Sequence, residues 1–88
     1  MTIEEFASVI DHPIEILMRP GFPRDMLWYA HFQDGEIKRG NFLEGTSGNG
    51  RTPQEALDVY AREISGRVLV FDVMSETKRR EYNVPAVW

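Results

Sequence analysis

One stretch of the chain has a clear helical pattern of apolar and polar positions. Thr52 can cap the first turn with its hydroxyl, and Glu55 can reach back to the free amide of Thr52. Pro53 falls at the first helical position, where a missing N–H costs nothing. Gly66 suits the left-handed residue that follows a helix. Between these ends, apolar side chains recur at helical spacing at Ala56, Leu57, Tyr60, Ala61 and Ile64. The pattern predicts a helix over residues 52–65.

A shorter pattern of the same kind opens the chain. Thr2 and Glu5 form a second capping box, and apolar residues follow at helical spacing through Ile10. His12-Pro13 ends this helix, because the residue before a proline is disfavoured in the helical region. Two turns of helix are not stable alone, so we expect this helix to dock by its apolar side.

The pattern between residues 14 and 33 predicts two strands. The first covers residues 14–18 and the second covers residues 26–33. Alternate side chains of a strand lie on opposite faces of the sheet, so Tyr29 and His31 share one face of the second strand. We expect the core on the other face, which carries Met26, Trp28, Ala30 and Phe32.

Three further strands follow from the remaining chain. Asp34-Gly35 is a typical two-residue hairpin turn, so it predicts that the second strand pairs with a third one over residues 36–46. The third strand is expected to be broken or bulged near Gly40. Residues 67–73 form a short, β-branched apolar run, typical of a strand buried on both faces. Residues 79–84 alternate weakly, which predicts an edge strand.

This order of elements predicts an α+β fold in a single domain, residues 1–88. A short N-terminal helix within residues 1–12 precedes a core over residues 14–73. In the core, a three-stranded antiparallel meander is followed by one long helix packed on the sheet and one buried strand. Residues 74–88 form a C-terminal hairpin and tail.

Composition and charge narrow the classes of function. No apolar run approaches the ~20 residues that span a bilayer, so we expect no membrane insertion. The chain lacks cysteine, which excludes disulfides and suits a reducing compartment. The N-terminal sequence has neither the basic nor the apolar region of a secretory signal, so we expect a cytoplasmic protein. The net charge of −4 disfavours nucleic acid as the partner.

No residue pattern indicates catalysis or a bound cofactor. Gly48-x-Gly50 precedes a helix, where free amides favour anions, but the Lys-Ser/Thr pair of a Walker motif is missing. We prefer a tight strand-to-helix connection that uses the glycines for positive φ. His12 and His31 are the only histidines, and their spacing matches no metal pair. The sequence therefore predicts no enzyme, no metal and no cofactor.

A small set of side chains forms the candidate binding surface. Phe22 lies between two prolines in a loop, and Tyr29 and His31 share one face of a strand. Arg51 precedes the long helix. Lys78-Arg79-Arg80 is the densest run of positive charge, which is typical either of a nucleic-acid contact or of a solvated edge that discourages strand pairing.

The stretch Gly50-x-Thr52-x-x-Glu55-Ala56-Leu57 and the three strands before it resemble the antitoxin half of HicA/HicB toxin–antitoxin pairs, over about residues 14–73. The order of elements is also similar to that of the double-stranded-RNA-binding module. These resemblances imply a β-β-β-α-β core. They leave open a nucleic-acid-binding or antitoxin-like module that uses Arg51 and the basic run Lys78, Arg79 and Arg80.

A closer resemblance, over residues 26–85, is to a family of small bacteriophage and prophage proteins that has no established activity. The matching features are Trp28-Tyr29, Gly48-Asn49-Gly50-x-Thr52-Pro53-x-Glu55-Ala56, Ile64-Ser65-Gly66 and Val84-Pro85. The resemblance implies a phage origin and expression in the cytoplasm of a bacterial host. We predict a non-catalytic accessory protein that binds a host or phage protein, with a host-defence component as one candidate. The nucleic-acid-binding or antitoxin-like module is the first alternative to this prediction, and a self-associating structural protein, such as a homodimer, is the second.

Overall fold

Two α-helices and seven strands make up the fold, and the computed structural model describes residues 1–88. The helices are α1 (Ile3–Ile10) and α2 (Pro53–Ile64). The strands are β1 (Ile14–Met18), β2 (Trp28–Phe32), β3 (Gly35–Arg39), β4 (Phe42–Gly45), β5 (Gly48–Gly50), β6 (Val68–Phe71) and β7 (Arg80–Asn83). The predicted α+β class is confirmed, with a short N-terminal helix, antiparallel strands and one longer helix. The C-terminal edge strand is also present, because β7 pairs with β6.

The strands form two antiparallel sheets, which differs from the predicted single meander. The first sheet has the order β1-β2-β5, and the second sheet has the order β4-β3-β6-β7. The turn at Asp34-Gly35 therefore does not close the predicted hairpin, because β2 and β3 belong to different sheets. A Cβ at Gly35 would lie 3.1 Å from the Phe71 ring and 3.1 Å from the Phe32 carbonyl oxygen. The turn thus leads the chain from one sheet to the other along the core.

The predicted third strand over residues 36–46 is two strands, β3 and β4. They are joined at Gly40-Asn41, and Arg39 pairs with Phe42 across this two-residue loop. Gly40 has a φ of 61°, which suits the first central position of a type II′ hairpin turn. The break expected at Gly40 is therefore a reversal of the chain rather than a bulge.

The core face of β2 agrees with the prediction except at its first residue. Ala30 and Phe32 are fully buried, and Trp28 packs against the core while remaining partly exposed. Met26 instead ends a short 3₁₀ turn, Arg24–Met26, and is exposed. The strand therefore begins two residues later than predicted, because the chain is still turning at Met26.

Residues 48–50, predicted as part of a loop, form the strand β5, and α2 lies directly on it. Neither Gly48 nor Gly50 has a positive φ, so the reason predicted for these glycines is wrong. A Cβ at Gly48 would lie 2.0 Å from the Ala56 carbonyl oxygen and 2.3 Å from the Tyr60 amide nitrogen. A Cβ at Gly50 would lie 2.6 Å from the Ala56 amide nitrogen. Both positions require glycine because the backbones of α2 and β5 touch.

The ends of α2 form largely as predicted. The Glu55 amide donates a hydrogen bond of 3.1 Å to Thr52 Oγ1. The second hydrogen bond of a capping box, from the Thr52 amide to the Glu55 side chain, is absent in α2. In α1 both bonds of the capping box are present. Gly66 has a φ of 74°, so it takes the left-handed conformation expected after the helix.

Tyr60 connects α2 to the first sheet in the centre of the core. Its side chain is fully buried, and its hydroxyl accepts a hydrogen bond of 3.1 Å from the Phe32 amide. Phe32 lies beyond the last pair between β2 and β5, which joins Ala30 to Gly48. The hydroxyl therefore takes the place of a strand partner for this amide. Burial raises the pKa of Tyr60 to about 12, because the phenolate would lose its hydration.

We expect Gly48→Ala to lower the free energy of unfolding by at least about 2 kcal/mol, because the added Cβ overlaps the α2 backbone. Urea unfolding followed by circular dichroism measures this loss. Gly45→Ala is the matched control, since nothing lies within 4 Å of a Cβ there, and its effect should stay within about 0.5 kcal/mol. Similar losses for the two variants would contradict the direct contact between α2 and β5.

We expect Tyr60→Phe to cost about 1–3 kcal/mol near neutral pH, because the Phe32 amide loses its acceptor. The pKa of Tyr60 in the folded protein, about 12, lies above the ordinary value of 10.0. The stability that the neutral phenol contributes is therefore fully present below pH 10 and is lost as the pH rises to 12. Urea unfolding at several pH values should show the difference between the two proteins shrinking by about 2 kcal/mol over this range. A constant difference would count against the buried phenol.

Candidate functional site

Three of the predicted binding residues lie together on the first sheet. Ala30 and Gly48 face α2, so the alternate residues of β1, β2 and β5 point away from the helix. On that side, Glu15 lies opposite His31, and Tyr29 lies opposite both Leu17 and Asn49. We call this surface the outer face and define it by Glu15, Leu17, Arg19, Phe22, Tyr29, His31 and Asn49.

Arg19 connects the members of the outer face. Its guanidinium carbon lies 4.5 Å from the centre of the Phe22 ring and 4.7 Å from the centre of the Tyr29 ring. It donates hydrogen bonds to the Met26 carbonyl oxygen, at 2.8 Å, and to Asn49 Oδ1. No carboxylate pairs with it. The positive charge of Arg19 is thus held by aromatic rings and amide oxygens, and it stays available to an anion from outside.

Arg19 is the functional candidate that sequence reasoning missed. It lies at the end of β1 beside Pro20, in a stretch that indicated only a turn. Its contacts come from a loop, from β2 and from β5, and Asn49 is separated from it by 30 residues. The two aromatic residues flanking this region were visible in the sequence, but the cation between them depends on the pairing of three strands.

His31 is linked to β1 rather than turned freely to solvent. Its Nε2 lies 3.1 Å from a carboxylate oxygen of Glu15, and its ring centre lies 5.3 Å from that of Tyr29. The register of β1 and β2 sets Glu15 opposite His31, so the contact follows from the strand pairing. The outer face therefore carries polar and charged groups as well as aromatic rings.

An open groove of about 420 Å³ lies beside the outer face. Arg19, Tyr29 and His31 line one part of it, and Gly35 and residues 45–47 line the rest. Only Tyr29 is hydrophobic among these residues. The groove therefore offers a cation, an aromatic ring and small polar residues to whatever lies on the outer face.

Exposed apolar side chains concentrate near the same surface. Half of the large apolar residues that are exposed fall between residues 16 and 26, namely Ile16, Leu17, Met18, Phe22 and Met26. The helix α2 packs mainly on β5 and β2. Ile16 and Met18 stay partly exposed on the helix side of β1, and Leu17 is exposed on the other side, so apolar area is open on both sides of this strand.

The basic run Lys78-Arg79-Arg80 lies on the second sheet, at the start of β7, and is partly neutralised. Arg79 and Lys38 both pair with the carboxylate of Glu81, at 3.2 Å and 2.6 Å. The hydrogen bond from Lys38 is the main reason that the pKa of Glu81 is lowered. Arg80 lies over the Phe71 ring at 5.3 Å and within 3.4 Å of His12 Nδ1. Lys78 makes no ion pair.

Arg51 lies in the short connection between β5 and α2, is exposed and makes no ion pair. The glycines before it do not form a free loop at the helix N-terminus, since Gly48 and Gly50 pair with β2. No hydrogen bond or ion pair joins the Arg51 side chain to the residues of the outer face.

No three or more His, Asp or Glu side chains are arranged to hold a metal ion, and neither helix has the length and apolar character needed to cross a membrane.

Comparisons with models of protein families, with curated proteins and with solved structures found no match. The chemical character of the candidate site therefore has to be inferred from its own geometry.

Proposed function

We propose that this protein is a non-catalytic binding protein and that its outer face contacts another protein. The observation that carries the proposal is the guanidinium of Arg19, which is held between Phe22 and Tyr29 and lacks a carboxylate partner. Aromatic and arginine side chains dominate the binding energy of protein interfaces. Exposed apolar patches with a polar rim are typical of such surfaces.

The groove favours an acidic segment as the part of the partner that is bound. A carboxylate can accept charge-assisted hydrogen bonds from Arg19, and the bound backbone can pack against the rings of Phe22 and Tyr29. Phe22 is 48% exposed, so it has apolar area to lose to a partner. The net charge of −4 opposes the approach of an acidic segment at long range, so its binding would depend on the short-range contacts with Arg19 and the two rings.

The biological setting is taken from the resemblance of residues 26–85 to phage and prophage proteins. On that basis we propose that the partner is a host or phage protein in the bacterial cytoplasm. A component of a host-defence system is one candidate.

We expect Phe22→Ala to weaken binding to the partner by at least about 10-fold, because it removes the aromatic ring beside Arg19. The tagged protein is used to capture partners from lysates of infected and uninfected host cells, and the affinity of each purified partner is then measured by calorimetry. Phe42→Ala is the matched control, since Phe42 is an exposed phenylalanine on the second sheet, and it should leave the affinity unchanged. A partner that is sensitive to Phe42 and insensitive to Phe22 would contradict the proposal.

A nucleic-acid-binding or antitoxin-like module is the alternative, because Arg51 and Lys78 are exposed and lack ion pairs. The ion pair of Arg79 with Glu81 and the net charge of −4 weigh against it. We expect no salt-sensitive binding to DNA or RNA between about 50 and 200 mM salt. Binding that falls steeply over this range and is lost in Arg79→Glu/Arg80→Glu would favour the alternative instead.

A further inference from the structure

We propose that β1 pairs antiparallel with β1 of a second copy of this chain, so that two first sheets join into one continuous sheet. The proposal goes beyond the proposed function, because it concerns pairing between two copies of this chain, although Glu15 and Leu17 of this strand, and Arg19 directly after it, also belong to the outer face. The strand β1 has β2 as its only strand neighbour, so one of its edges is unpaired. Such an edge is a ready template for pairing with another strand.

The backbone groups needed for this pairing are directed to the open edge. The Arg19 amide donates to the Leu27 carbonyl oxygen at 2.7 Å, which makes these residues a hydrogen-bonded pair. Hydrogen-bonded and non-hydrogen-bonded pairs alternate in an antiparallel ladder. The odd-numbered residues of β1 therefore bond to β2, and the N–H and C=O groups of Ile16 and Met18 point away from it.

One register makes this edge complementary to itself. If Leu17 lies on a two-fold axis, Ile16 faces Met18 of the second copy, and the same pair forms again by symmetry. These two pairs exchange four hydrogen bonds around Leu17. Ile16, Leu17 and Met18 are 37%, 42% and 49% exposed, so the pairing covers apolar side chains on both faces of the joined sheet.

Charge and proline positions favour the same register. In this register Glu15 lies opposite Arg19 of the second copy, so an acidic and a basic residue become neighbours in both halves of the interface and can pair once Arg19 leaves Asn49 and Glu15 leaves His31. Arg19 has no carboxylate partner in its own chain. Pro13 and Pro20 flank the strand and cannot donate to a ladder, which confines the pairing to the residues between them.

The short strand sets the expected strength. Two five-residue strands bury less than the ~1,200 Å² of an ordinary stable interface. We therefore expect a weak dimer, with a Kd between about 1 µM and 1 mM. The two outer faces would lie on the same side of the joined sheet.

Cross-linking tests the register, because the chain has no cysteine of its own. In the proposed dimer, Leu17→Cys places two thiols at a non-hydrogen-bonded pair, where Cα atoms lie ~4.5 Å apart and a disulfide can close. Mild oxidation should convert this variant to a covalent dimer. Val9→Cys, at a position of α1 that is 71% exposed, should remain monomeric. Equal cross-linking of the two variants, or none, would overturn the proposal.

The mass in solution tests the dimer without any cross-link or partner protein. By sedimentation equilibrium up to about 1 mM chain, the average mass should rise from 10.2 kDa towards twice that value. Leu17→Lys should stay monomeric, because two like charges would meet at the axis, and Val9→Lys should behave as the unmodified chain. Circular dichroism checks that both variants fold. A monomer at every concentration, or a dimer unaffected by Leu17→Lys, would refute the pairing and leave the outer-face proposal standing.

A charge exchange tests the pairing of Glu15 with Arg19. Glu15→Lys and Arg19→Glu each create like charges in a homodimer, so each should weaken it by at least about 10-fold. A mixture of the two variants restores opposite charges in both halves, and the mixed dimer should form more readily than either homodimer. Failure of the mixture to recover would exclude this register.

Discussion

The direct contact between the backbones of α2 and β5 is the constraint on which the rest of the structure depends. Gly48 and Gly50 have no side chains, so the helix sits on the strand with carbonyl and amide groups at close range. This position lets Tyr60 reach the Phe32 amide and close the end of the β2–β5 ladder. A larger residue at either glycine would push the helix away and leave a buried amide without a partner. The glycines therefore act through distance and not through an unusual backbone conformation.

The position of α2 also decides which parts of the first sheet stay open. Because the helix lies over β5 and β2, it covers Ala30 and Phe32 but leaves Ile16 and Met18 of β1 exposed. The opposite side of the sheet has no helix on it. The proposed binding face and the proposed dimer edge are thus both consequences of where the helix packs.

The basic side chains of the molecule differ in the groups that hold them. Around Glu81, the cations Lys38 and Arg79 are held by a shared carboxylate, which reduces their attraction for an outside anion. Arg19 is held by aromatic rings and amide oxygens, which leave its charge uncompensated. Local partners, rather than the density of positive charge along the chain, therefore favour Arg19 over Lys38 and Arg79 as a candidate for recognition.

The sequence by itself determined the helices, the capping by Thr2 and Thr52, the left-handed Gly66 and the buried face of β2. Each depends on hydrogen bonds or periodicity among residues a few positions apart, which a local pattern encodes. Only the tertiary structure decided that β2 and β3 enter different sheets, that residues 48–50 form a strand, and that Arg19 sits between two aromatic rings. These features depend on partners distant in the chain, such as Asn49 for Arg19. A turn such as Asp34-Gly35 directs the chain locally, but strand pairing is decided by which apolar faces the whole core can bury.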